Sequence, residues 1–175
     1  VSFTTPSEVS TIGVTLIKDD TTFRGLSGQK FLDKMKNEFE SRACSAATAA
    51  DPTITCSMEV GFEASDTNQN GHVVHTAVYA FTISDNKDSQ KLTVFITMFP
   101  NGNDVWVLGL ATFPGEDYKG IGEETGKMAD SFKISNYKGE QKPSSSTKSS
   151  TTQTPPATKS LSYENKQYGF SIKYP

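Results

Sequence analysis

Apolar and polar residues alternate with a period of two through much of the first 136 residues. Ile54, Cys56, Met58, Val60 and Phe62 share one side of an extended segment, and Thr55, Ser57, Glu59, Gly61 and Glu63 share the other. That is the pattern of a strand with one buried face. Residues 72–83, 91–99 and 104–113 are three more strand candidates, joined by the turn-forming segments 84–88 and 100–103. Four strands in a row with short polar connections predict an antiparallel meander. Val14 and Leu16, with Phe3, mark one or two further strands near the start. The period becomes helical twice. Phe31, Leu32, Met35 and Phe39 follow Ser27-Gly28, and Ile121, Thr125, Met128 and Phe132 fall at i, i+4, i+7 and i+11, one apolar stripe each. The order β, β, α, four β, α predicts an α+β fold, an antiparallel β-sheet of about six strands with helices packed against it.

Composition divides the chain. Positions 143–160 hold eleven Ser or Thr, three Pro, two Lys, one Gln and one Ala. Such a segment cannot bury enough apolar surface to offset its ordering entropy, so residues 137–160 are expected to be a Ser/Thr/Pro-rich linker, either a solvated tether or an O-glycosylated stalk. Structured chemistry returns in residues 161–175, where Tyr168, Phe170, Ile172 and Tyr174 alternate with Gly169, Ser171 and Lys173 before Pro175. This reads as a half-buried strand. Charge follows the same division. Residues 1–136 carry 11 basic and 18 acidic side chains, a net −7, whereas residues 137–175 carry six Lys and two Glu, a net +4. An acidic body argues against a nucleic-acid partner, because phosphate binding needs clustered Lys and Arg. No apolar run reaches the roughly 18 to 20 residues of a membrane-spanning helix, so no transmembrane segment is expected in this chain.

Two segments resemble a known family. Tyr168-Gly169-Phe170-Ser171-Ile172-Lys173-Tyr174-Pro175 resembles the opening strand of PsbP-like domains, and Met128-Ala129-Asp130-Ser131-Phe132-Lys133-Ile134 resembles their closing helix. The resemblance, which extends to DcrB-like proteins, implies a PsbP-like α/β/α sandwich. It also implies that residues 1–136 form a unit lacking its opening strand, and that residues 161–175 are the opening strand of a following unit in a tandem repeat. A sheet missing a strand exposes an edge and part of its core. Tyr168, Phe170, Ile172 and Tyr174 are therefore expected to complement the sheet of residues 1–136, in the same chain or in a neighbouring one. A flexible linker of about 25 residues spans roughly 25–30 Å, which permits either.

Candidate chemistry is sparse. Cys44, near the end of the first helix, and Cys56, on the cleanest strand, flank an Ala/Thr-rich loop and are a candidate disulfide that would staple helix to sheet in an oxidising compartment; the alternative is two small buried hydrophobes. Asp66-Thr67-Asn68-Gln69-Asn70-Gly71 matches the first half of a calcium loop, but Ala77 stands where the closing carboxylate belongs, and the same residues suit a hairpin turn. Asp66, Asn68, Asn70 and His72 are the candidate ligands for calcium or, through the family resemblance, manganese. His72 and His75 are an odd number of residues apart and would face opposite sides of a strand. Gly120, Gly122 and Gly126 surround a helix start whose Glu123 and Glu124 suit a helix N-terminus. Trp106 reads as core, with ligand stacking the alternative. No nucleophile–base constellation is recognisable, so an enzyme is not expected.

The expected function is a non-enzymatic, extracytoplasmic PsbP-like binding or assembly module of a surface or membrane-associated protein. Its partner would be another protein or a second copy of itself, engaged through the terminal strand, with no cofactor. The alternative is a small-ligand or divalent-metal binding domain.

Overall fold

The computed structural model describes residues 2–4, 11–85, 87–112, 118–139 and 161–174. Most of the predicted linker, residues 140–160, and position 113 at the end of the last meander strand lie outside them. The meander is present as β3 (Thr55–Thr67), β4 (Val73–Ser84), β5 (Ser89–Asn101) and β6 (Asp104–Thr112). β2 (Thr11–Ile17) pairs antiparallel with β6, and the short β1 (Ser2–Thr4) lies outside β2, giving the order β1-β2-β6-β5-β4-β3. The fold is α+β and its main sheet is antiparallel.

Period-two patterning gives this sheet two apolar faces, each with its own core. On the first face, α1 (Gly28–Ala50) lays Phe31, Leu32 and Met35 against Ala77, Tyr79, Phe81, Ile96 and Met98. On the second, α2 (Tyr118–Ser131) and a small sheet pack Met128, Phe132, Phe170 and Ile172 against Phe99, Trp106, Leu108 and Leu110. Burying each large apolar side chain is worth about 1.5–3 kcal/mol, so both layers contribute substantially to stability.

Two local expectations are corrected. The Ala/Thr-rich segment after Cys44 is helix rather than loop, because α1 continues to Ala50; alanine has the highest helix propensity, which outweighs the scattered Ser and Thr. The alternation in β3 also breaks. Val60 pairs with Tyr79 and Phe62 with Val78, so Gly61 is an extra residue forming a β-bulge. Cys56 and Met58 face α1 as expected, whereas Phe62 turns to the second face beside Val78.

The small sheet has the order β7-β9-β8 and is built from β7 (Lys133–Ile134), β8 (Leu161–Asn165) and β9 (Phe170–Tyr174). The terminal segment is thus a hairpin whose first strand the alternation of residues 168–174 did not signal. It extends neither edge of the main sheet but lies over the second face, where α2 and β7 receive it. Tyr168 belongs to the turn and is exposed, whereas Phe170 and Ile172 are buried and Tyr174 packs against the same core.

Candidate functional site

The seat of the terminal hairpin is the most elaborated feature of the molecule. β7 pairs antiparallel with β9, Lys133 opposite Ser171 and Ile134 opposite Phe170. Beyond this short ladder, the Lys173 N–H donates to Ser131 Oγ at 2.9 Å and the Ser135 N–H to the Gly169 carbonyl at 2.8 Å. Gly169 holds φ at +71°, a left-handed conformation that glycine adopts without a side-chain penalty. Beneath the backbone, Phe170 lies 4.9 Å from Trp106 and 5.4 Å from Phe132, ring centre to ring centre, and Phe132 lies 4.6 Å from Phe99. Trp106 is therefore core. Two segments far apart in sequence meet each other here: Ser131, Phe132, Lys133 and Ile134 each contact the strand Phe170–Tyr174 through backbone pairing, a hydroxyl or a ring.

The candidate metal residues hold the floor of this seat. Asn68 Nδ2 donates to the carbonyls of Ala129 (3.2 Å) and Phe132 (2.7 Å), and Asn70 Nδ2 donates to those of Ser131 (3.2 Å) and Phe132 (3.1 Å). The end of a helix leaves carbonyls without intrahelical partners, and these two amides satisfy them. Asn68 Oδ1 accepts the Asn70 and His72 N–H groups, and Asp130 Oδ1 accepts that of Gln69. Asp66 Oδ1 accepts the N–H of Thr67. His72 Nε2 accepts the Ile134 N–H at 3.0 Å, which requires a neutral ring with its proton on Nδ1; that buried atom has no partner among the described residues. Burial, then Lys133, holds the His72 pKa below its usual value. Asp66, Asn68, Asn70 and His72 are thus brought to one turn, but Asn68 and Asn70 present amide nitrogens to carbonyls and do not converge oxygens on a common point. Among the described residues no cluster of three His, Cys, Asp or Glu side chains is placed to hold a metal ion. A polar turn of this composition announces dense hydrogen bonding; nothing in it announces the helix end it would bond.

His75 faces the opposite side from His72, stacked on Phe31 at 4.0 Å with Nδ1 2.7 Å from Ser65 Oγ. Burial lowers its pKa to about 4, which keeps it neutral at physiological pH. Cys44 and Cys56 form a disulfide, with Cα atoms 5.3 Å apart, that ties the last turns of α1 to the start of β3. Glu123 and Glu124 lie past the first turn of α2, which begins at Tyr118, and Glu124 pairs with Lys127 at 3.1 Å. Gly122 has a different reason to be glycine, since a Cβ there would meet the Phe95 ring at 3.1 Å.

Each helix covers only part of its face. Between α2 and β3–β5, the second face keeps an open groove of about 400 Å³ lined by Phe62, Val74, Val78, Phe95 and Ala129, with Asp66 and Asp130 at its rim. Between α1 and β2–β6, the first face keeps one of about 270 Å³ beside Ile17, Glu38, Phe39 and Arg42. Neither was signalled by the sequence, because a groove depends on where a helix sits across a sheet. No protein-family model matches the chain, and no curated protein matches its sequence. No helix among the described residues is long and apolar enough to cross a membrane.

Proposed function

We propose that this chain is a non-enzymatic, extracytoplasmic binding and assembly module of the PsbP-like kind, part of a surface or membrane-associated protein, and that it works by strand complementation. The observation that carries the reading is the seated hairpin: Phe170 and Ile172 enter the core of a domain from which they are separated in sequence by the Ser/Thr/Pro-rich stretch. A strand held this way is both a structural part and a removable one, and its seat accepts any chain with the same alternation, from its own copy or a neighbour. In a tandem array of such units the tether sets how far the strand reaches. The disulfide supports an oxidising compartment, where such bonds persist.

The test uses the full chain with Phe170→Asp and Ile172→Asp, which expels the hairpin. The opened chain is expected to bind a labelled peptide of residues 161–174 saturably, and wild type to bind it at least tenfold more weakly because its seat is filled. A folded variant that ignores the peptide contradicts strand complementation.

A further inference from the structure

Among the described residues four strands end the two sheets, β1 and β3 the main one, β7 and β8 the small one; β1 and β7 are only three and two residues long, so the outer edges of β3 and β8 are the two substantial ones. An open row of backbone N–H and C=O groups is a template for another strand. Four of the five large hydrophobic side chains exposed on the described surface sit at these edges: Val60 (42%) and Phe62 (52%) on β3, Leu161 (54%) on β8 and Tyr168 (50%) in the turn after it. Charge favours contact between these two edges at the margin: β3 carries Glu59, Glu63 and Asp66 and no basic residue, whereas the hairpin exposes Lys166 in its turn and Lys173 on β9 against the single Glu164 of β8. Their lengths also agree, since the bulge at Gly61 leaves β3 an unbroken run from Thr55 to Val60 beside the five residues of β8. Past the bulge, Phe62 stands at the mouth of the second-face groove, which is large enough for one apolar side chain.

We infer that β8 of one copy adds to the β3 edge of a second copy, placing Leu161 against Phe62 and the groove beside it. The inference rests on the seated hairpin, because β8 is displayed as an edge only while β9 occupies its seat. Each copy offers one surface of each kind, so the contact is head to tail and propagates as an open chain of copies unless its rotation closes a ring. Opposite charges at the rim speed the encounter and are screened by salt.

Sedimentation velocity on the full chain, with Phe62→Lys and Leu161→Lys, tests this across a hundredfold range of concentration. Both side chains are about half exposed, so the thermal midpoints are expected to stay at the wild-type value and report a seated hairpin. At low salt the wild-type mass is expected to rise past that of a dimer, and association to weaken by about tenfold or more at about 1 M salt, where screening acts within roughly 3 Å. Each variant alone is expected to remain monomeric, and their equimolar mixture to give a dimer and nothing larger, since each supplies the surface the other lacks. A wild type that stays monomeric with its hairpin seated overturns the edge contact and leaves strand complementation standing. Association by either variant alone also overturns it, and if that association is broken by the 161–174 peptide, it traces to exchange of hairpins between seats.

Discussion

Asn68 makes four side-chain hydrogen bonds, two donated to the end of α2 and two accepted from its own turn. Asn68→Ala is expected to cost about 2–4 kcal/mol, measured by urea unfolding, because it leaves the buried His72 N–H without its acceptor as well as losing the bonds to the end of α2. Millimolar calcium is expected to leave the thermal midpoints of wild type and variant unchanged, since a ligand stabilises only what it binds. His75 sets a pH dependence of definite sign. Burial holds its folded pKa at about 4, below the 6.5 of a free imidazole, so the unfolded chain takes up the proton first as pH falls. Stability from this group is complete above about pH 6.5 and declines by about 3 kcal/mol on the way to about pH 4. His75→Phe keeps the stack on Phe31 and is expected to flatten that slope in urea titrations at successive pH values. At this scale the sequence was half legible. It marked Asp66, Asn68, Asn70 and His72 as belonging together and put the two histidines on opposite faces, but the partners of Asn68, Asn70 and His72 include the carbonyls of Ala129, Ser131 and Phe132 and the N–H of Ile134, more than fifty positions away.

The elements were more legible than their ends. Both helices and the meander follow from periodicity, a property of neighbours in sequence. The bulge at Gly61 did not, because a single glycine in an alternating run does not say whether it is paired, and Phe62 changed faces with it. The extension of α1 to Ala50 was missed for the opposite reason: its last turns have almost no apolar stripe and stand on alanine propensity and the Cys44–Cys56 bond. Replacing both cysteines by alanine is expected to cost about 2–3 kcal/mol and to speed amide hydrogen exchange at residues 45–50 well beyond that in the rest of α1. The small sheet allows a sharper contrast. Phe170→Ala is expected to cost about 3–5 kcal/mol, as a fully buried ring does, and Tyr168→Ala within about 0.5 kcal/mol, although the two residues are neighbours in one motif. Equal losses at both positions would mean the hairpin is not seated as described.

For the whole molecule, the segment that composition sets apart as a separate strand is part of the domain's core. Two short motifs, around residues 128–134 and 168–174, are 30 or more residues apart and pair with each other, which neither motif could reveal alone. What the sequence could not convey is how the layers sit: that the hairpin lies across a face rather than along an edge, and that α1 and α2 each leave part of their face open as a groove. That the hairpin completes the fold is tested by the thermal midpoint of a chain ended after Gly139, which keeps α2, β7 and Tyr137, with and without added 161–174 peptide. The midpoint is expected to fall by about 10 °C or more, from the loss of several kcal/mol of apolar burial, and to recover when the peptide is supplied. A shortened chain that melts where the full chain does, and ignores the peptide, would contradict this role for the hairpin.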